Sequence, residues 1–176
     1  MAFRGARLLG MSLAALVCFA APAADEVSQL QARFDRETNS VHKAKLLEKL
    51  GDAQMEQTRH ASQANDYKTL GLVMEKYRDN ARAAVDALKK DHPDAERHTS
   101  GYKQLQIHVH KVLREVDETL VVAPEEYRPP LEIVRRDLAA MDDELLNLLF
   151  PRRPDAKKPD GKKGAVPRPA APEKSS

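Results

Sequence analysis

The chain has 176 residues, with 29 Lys and Arg against 27 Asp and Glu, and one cysteine, Cys18. We expect the segment that holds Cys18 to be removed, which excludes disulfides, thiolate metal sites and a cysteine nucleophile from the mature chain. The sequence also lacks a phosphate-binding glycine loop, a dinucleotide fingerprint and a Gly-x-Ser-x-Gly motif. These exclusions predict a non-enzymatic protein that uses no cofactor.

The N-terminus has the composition of an export signal. Arg4 and Arg7 precede an apolar run over residues 8–20, and small residues stand at Ala21 and Ala23, the two positions that signal peptidase reads. We therefore expect residues 1–23 to be a signal peptide, with the mature protein beginning near Ala24. The protein is expected to be periplasmic or secreted.

Two other readings of this segment are weaker. A retained membrane anchor needs ~20 predominantly apolar residues, and this run is shorter. Acylation of Cys18 normally requires a small residue before the cysteine, whereas Val17 stands there. No later segment is apolar and long enough to cross a membrane, so the sequence predicts no transmembrane segment in the mature chain.

Charge divides the mature chain into two parts. Residues 151–176 carry eight basic and three acidic side chains and six of the eleven prolines, whereas residues 24–150 carry a net charge of about −5. The C-terminal part contains too few apolar residues to offset the entropy of ordering, so we expect a disordered tail. Its charge suggests contact with an anionic surface of the envelope. Nucleic acid is not an expected partner after export, and the tail has no aromatic residue to stack on bases.

The first two predicted helices are separated by a polar break. Val27, Leu30 and Phe34 recur at helical spacing, and Thr38-Asn39-Ser40 then supplies side chains that favour a cap or turn. A second helix follows over about residues 41–63. Its apolar face consists of Ala44, Leu47 and Leu50. Because the second half of this helix is polar or small, we expect it to pack only closely or weakly.

The third helix, about residues 66–90, has the clearest pattern. Its apolar residues fall within about 120° of arc, as expected for a helix that faces a core. They are Tyr67, Leu70, Val73, Met74, Tyr77, Ala81, Ala84, Val85 and Leu88. Asn65-Asp66 suits a turn and an N-cap before this helix, and residues 91–94 with Pro93 end it.

Two further helices follow. The fourth runs from about Ser100, its expected cap, to Val121, and the fifth opens near Pro130 and ends before Pro151. The fourth has an apolar face of Tyr102, Leu105, Val109, Val112, Leu113, Val116 and Leu120. The fifth has Leu131, Val134, Leu138, Met141, Leu145, Leu148 and Leu149.

These patterns predict an all-α fold. No run alternates with period two for long enough to form a strand. The four to five amphipathic helices, joined by short loops, should form either an antiparallel bundle or a short stack of helical hairpins. We expect one helical domain over residues 24–150. Four apolar residues lie off the predicted stripes and are the candidates for a partner or self-association surface: Leu46, Met55, Leu72 and Ile107.

One segment resembles a known repeat family. Leu50-Gly51 in the second helix, followed by Asn65-Asp66-Tyr67, is similar to the Leu-Gly pair and the Gly-Asp-Tyr-like turn of a tetratricopeptide hairpin. The resemblance covers about residues 45–77. Gly51 and Tyr67 are 16 residues apart, where the family has nine, and no second copy follows. The resemblance implies a protein-binding hairpin in an exported helical protein.

Four histidines and one aspartate are the candidate metal ligands. His108 and His110 diverge by about 160° on a regular helix, so one ion cannot take both, and we expect them to border the core. His92, Asp94 and His98 lie together in the loop before the fourth helix, with ligand types that suit zinc. The sequence thus predicts an exported, non-enzymatic binding or scaffolding protein of the cell envelope. The alternative is a periplasmic metal-binding or stress-sensing helical protein.

Overall fold

A computed structural model describes residues 21–151 of the chain, with side chains from Asp25 onward. The helices are α1 (Ala21–Arg36), α2 (Ser40–Gln63), α3 (Tyr67–Asp91), α4 (Thr99–Val122) and α5 (Arg128–Leu149), and a 3-10 turn spans Glu125–Tyr127. These residues contain no strand, which confirms the all-α prediction. None of these helices combines the length and apolar character needed to cross a lipid bilayer.

Two sequence predictions concern residues that the structure leaves undescribed. Residues 1–20, which form most of the predicted signal peptide, and residues 152–176 of the predicted tail lie outside the described range. Ala21, Ala23 and Ala24, the predicted cleavage residues, belong to the first turn of α1. The signal peptide and the tail therefore stay predictions.

The turn between α2 and α3 explains why both helices end where they do. Asn65 has a φ of 56°, a left-handed conformation that asparagine tolerates better than most residues. The amides of Asn65 and Asp66 donate to the carbonyls of Ser62 and Ala61, which satisfies the last turn of α2. The Asp66 carboxylate then accepts the amide of Thr69, so this residue caps α3 as predicted.

Of the two other caps, that of α2 lies within the predicted break and that of α4 differs from the prediction. Asn39 caps α2 through a bond from the His42 amide, and Ser40 is the first helical residue. The assignment of Ser100 as the cap of α4 is wrong, because α4 begins at Thr99 and His98 occupies the cap position without a side-chain bond. At α5, Pro129 and Pro130 stand in the first turn, where a missing amide hydrogen costs least.

The helices form two hairpins that lie side by side. α2 packs on α3 and α4 packs on α5, while α2 also contacts α4 and α3 also contacts α5. The ion pairs Asp52–Lys111 and Arg59–Glu115 show that α2 and α4 run in the same direction. Lys89–Glu144 and Arg78–Asp137 show the same for α3 and α5. The bundle is therefore antiparallel within each hairpin and parallel between them.

The core lies between these four helices and follows the predicted stripes. Most residues of the α3, α4 and α5 stripes are buried. Val73 is partly exposed, and Tyr67, Leu113, Leu120 and Leu148 pack against the core while partly exposed. Its largest members include Tyr77, Tyr102, Leu47, Leu50, Leu88, Leu105 and Leu138. Burial of such side chains contributes about 1.5–3 kcal/mol each, so the stripes hold the hairpins together.

α1 extends the bundle by packing on the outside of α2. Phe34 is buried there, and the Lys43 ammonium lies 4.7 Å from the centre of its ring. Gln31 and Asn80 exchange two side-chain hydrogen bonds of 2.9 and 3.1 Å, which tie α1 to α3. α2 is thus covered on three sides, by α1, α3 and α4.

Candidate functional site

A buried polar cluster lies where α2, α3 and α4 meet. The side chains of Tyr77 and His108 are almost fully buried, and the Tyr77 hydroxyl lies 2.8 Å from His108 Nδ1. Gly51 of α2 faces both rings. A Cβ atom at position 51 would lie 2.3 Å from His108 Cε1 and 2.8 Å from Tyr77 Cε2. The absence of a side chain at this position is therefore what lets α2 approach the two rings.

The cluster reaches the surface through a carboxylate. Asp52 Oδ1 lies 3.5 Å from His108 Nε2 and accepts a 2.7 Å bond from Lys111 Nζ. Because a carboxylate faces Nε2, the neutral imidazole carries its proton on Nε2, and its Nδ1 accepts a hydrogen bond from the Tyr77 hydroxyl. The 3.5 Å separation leaves Nε2 without a close hydrogen-bond partner in the described part of the chain.

The surroundings shift the pKa values of all three side chains away from their ordinary values. Burial raises the pKa of the Tyr77 hydroxyl well above 10.0 and lowers the pKa of His108 below 6.5. Burial also works to raise the pKa of Asp52, but the hydrogen bond and charge of Lys111, with His108, outweigh it and hold that pKa below 3.8. At neutral pH the cluster therefore contains a neutral tyrosine, a neutral histidine and an ionised aspartate.

The second histidine of the pair points elsewhere. His110 is exposed, and its Nδ1 lies 2.9 Å from Asp142 Oδ2 of α5. Asp142 is buried and also accepts a 2.9 Å bond from Gln106 Nε2. The predicted divergence of His108 and His110 is confirmed, since one turns to α3 and the other to α5. His108, however, is buried within the core and not at its border.

The loop candidates come partly together. The His92 and His98 rings lie with their centroids 4.5 Å apart. Asp94 is turned away to Arg97, with which it forms a 3.1 Å ion pair and a bond to the backbone amide. Within residues 25–151, no group of three or more His, Cys, Asp or Glu side chains forms a metal-binding arrangement.

An open groove of about 790 Å³ lies next to the buried cluster, between the second half of α2 and α4. On the α2 side its walls are Thr58, Arg59, Ser62 and Gln63. On the α4 side they are Ile107, His110, Lys111, Arg114, Glu115, Glu118, Thr119 and Val122. The sequence indicated a polar or small-residue face in the second half of α2, and the short side chains of Thr58 and Ser62 leave room in this groove.

The four predicted surface residues separate into different environments. Ile107 and Leu72 are exposed, at 56% and 59%, whereas Leu46 is partly buried against the core. Met55 is fully buried, so its placement on an interaction surface is wrong. α2 packs against helices on three sides. A prediction from one apolar stripe therefore underestimates how many α2 residues are buried.

The exposed apolar residues of α4 are concentrated around the groove. Val121 and Val122 are 78% and 62% exposed, and Val122 lines the groove together with Ile107. Sequence reasoning missed both valines because they stand at the predicted end of the helix. The signal that could have found them is their spacing from Ile107, which places them on the same side of α4.

Comparison of the chain with protein-family models, with curated proteins and with solved structures found no match. The resemblance of residues 45–77 to a tetratricopeptide hairpin therefore stays a prediction. In the structure, α2 continues for about three turns beyond Gly51 before the turn at Asn65.

Proposed function

We propose that the chain is an exported, non-enzymatic helical protein of the cell envelope, whose work is binding or scaffolding through the α2–α4 groove. The observation that carries the proposal is the position of Ile107 and Val122, two exposed apolar residues at opposite ends of one groove. Single exposed apolar residues are normal on a protein surface. A protein interface combines apolar contacts with polar residues around them, and this groove offers both.

The groove is held firmly at one end. His108 stands next to the groove residue Ile107 on α4, and its bond to Tyr77 and the close contact at Gly51 fix the spacing of α2 and α4 there. Asp52–Lys111 and Arg59–Glu115 join the two helices at its rim. A surface held in this way binds a partner without first being ordered, which lowers the entropic cost of association.

Export is supported by the N-terminal sequence alone. The basic start, the apolar run and the small residues at Ala21 and Ala23 match a signal peptide. Cell fractionation with mass spectrometry of the N-terminus tests this part. A chain that begins near Ala24 in the envelope fraction supports the proposal, and an intact chain in the cytosol overturns it.

The binding role is tested by disrupting the groove without disturbing the core. Ile107→Lys and Val122→Lys place a charge on the surface that we propose for binding. Ile133→Lys, at an exposed position of α5, is the matched control. After cross-linking in the envelope, the wild type and the control should retain the same adducts, and the two groove variants should lose them. Adducts that survive in both groove variants contradict a role for this groove.

A second candidate function rests on the α3–α4 loop. The 4.5 Å separation of the His92 and His98 rings brings two imidazoles together, and imidazole is a good ligand for zinc or copper. Calorimetry with zinc, copper and nickel tests this. Binding that His98→Ala abolishes and His110→Ala leaves intact supports a metal-binding or stress-sensing role. Binding no tighter than about 1 mM, or equal for both variants, excludes it.

The tail adds a further contact to the proposal. Residues 151–176 carry eight basic side chains against three acidic ones, which suits an anionic envelope surface. The full chain should therefore bind vesicles that contain anionic lipid and release them at high salt, whereas a chain that ends at Pro151 should not bind. Equal binding by both chains contradicts this role.

A further inference from the structure

The outward side of α4 carries its charges in two separate halves. We define the α4 outer face as the exposed residues that fall within about 60° of Ile107 on the helix. They are Ser100, Lys103, Ile107, His110, Lys111, Arg114, Glu118, Val121 and Val122. The basic residues occupy the first half and the acidic residue the second, with Glu115 beside it at the rim of the groove. Each half also carries exposed apolar residues, Ile107 in the first and Val121 and Val122 in the second.

This order is complementary to itself when two copies run in opposite directions. If a twofold axis passes beside residues 114 and 115, Lys111 of one copy faces Glu118 of the other, and Arg114 faces Glu115. The same operation brings Ile107 opposite Val122. A parallel arrangement would instead place like charges together, which disfavours the contact. The pattern thus selects one relative orientation.

The two central charges are available for such a contact. Arg114 and Glu118 are both exposed, and neither forms an ion pair within the described part of the chain. Their order along the helix, with the cation four residues before the anion, is the less favourable one for pairing within a helix. Lys111 and Glu115 already pair with Asp52 and Arg59, so α2 holds these two side chains at the groove.

We propose that a second copy of this chain docks on the α4 outer face, with the two α4 helices antiparallel across a twofold axis. The groove between α2 and α4 gives the partner's side chains room, because Thr58 and Ser62 are short. Each contact made at one end is repeated by symmetry at the other, as in most protein dimers. This inference deepens the proposed binding function, since it names the partner that the groove receives.

Charge reversal on one half at a time tests the proposal. Lys111→Glu with Arg114→Glu makes an acidic face, and Glu115→Lys with Glu118→Lys makes a basic face. Each double variant alone should dimerise at least about tenfold more weakly than the wild type. An equimolar mixture should form heterodimers with about the wild-type affinity, because every facing pair is then opposite in sign. Recovery in the mixture also shows that both variants are folded.

Sedimentation equilibrium of the full processed chain gives the dissociation constants. The control is Arg82→Glu with Lys90→Glu, at two exposed positions of α3. It changes the net charge by the same amount as the acidic-face variant and should leave the dissociation constant of the dimer unchanged. A wild type that is monomeric at about 200 μM overturns the inference, as does a mixture that stays monomeric. If the wild type is monomeric but Ile107→Lys still loses its envelope adducts, the binding function stands and another protein occupies the groove.

Discussion

Adding one methyl group at Gly51 should destabilise the protein, although the substitution raises the helix propensity of α2. In Gly51→Ala the new Cβ would lie 2.3 Å from His108 Cε1 and 2.8 Å from Tyr77 Cε2. Both rings are buried in the core and cannot swing away as the end of a flexible side chain would. Their displacement costs about 1–3 kcal/mol, and weakening of the 2.8 Å Tyr77–His108 bond adds about 1 kcal/mol.

Helix propensity works in the opposite direction. Alanine favours a helix interior over glycine by about 1 kcal/mol. The net loss expected for Gly51→Ala is therefore about 2 kcal/mol, or a fall in melting temperature of roughly 8 °C for a domain of this size. Urea titration followed by circular dichroism at 222 nm measures the free energy of unfolding directly.

Gly71 provides the matched control. It also lies within a helix, α3, but a Cβ added there would meet no atom within 4 Å beyond its chain neighbours and the backbone of its own helix. Gly71→Ala should therefore gain most of the helix-propensity term, about 0.5–1 kcal/mol. The same substitution thus has opposite signs at the two sites. A Gly51→Ala protein as stable as the wild type would refute the close approach of α2 to the two rings.

Three further predictions concern burial and titration. Burial lowers the pKa of His108, so the folded state resists protonation of this side chain. The free energy of unfolding should therefore fall as the pH drops below about 6.5, by at most about 1.4 kcal/mol per pH unit. In urea titrations, His108→Gln should flatten this slope. Met55→Ala should cost about 3 kcal/mol because Met55 is fully buried, and Leu72→Ala, at an exposed site, less than about 0.5 kcal/mol. Asp142→Ala should cost about 1–2 kcal/mol through two lost hydrogen bonds, and Asp142→Asn less, because an amide oxygen still accepts one of them.

Each of these has a contradicting result. A wild type whose stability below pH 6.5 falls no more steeply than that of His108→Gln would remove the buried histidine from the linkage. If Met55→Ala and Leu72→Ala lower the free energy of unfolding equally, Met55 is not buried between α2 and its neighbours as described. An Asp142→Ala protein of wild-type stability would show that the carboxylate contributes nothing to the contact between α4 and α5.

The helices could be predicted from the sequence because their apolar faces are strictly periodic. In α3 the stripe from Leu70 to Leu88 is interrupted by no glycine or proline after Gly71, and Asp66 gives an unambiguous start. The start of α4 was harder, since Thr99 and Ser100 are both plausible caps by type while His98 occupies the position. Cap identity depends on the backbone angles of one residue, which composition does not determine.

The environment of single residues could not be predicted in the same way. The burial of Met55 depends on how many helices surround α2, which is a property of the topology and not of one stripe. The Tyr77–His108 bond joins residues on different helices, and only the parallel arrangement of the two hairpins brings Gly51 against them. The groove likewise follows from the relative direction of α2 and α4.

We propose that the α2–α4 groove is the surface through which this protein makes its contacts. The most direct measurement is photo-cross-linking in the intact cell, with a photoreactive amino acid at Ile107 and, as a control, at Ile133 of α5, where the side chain is also exposed. We expect a discrete adduct from Ile107 and none from Ile133. Adducts of equal yield at both positions, or none at Ile107, would contradict it.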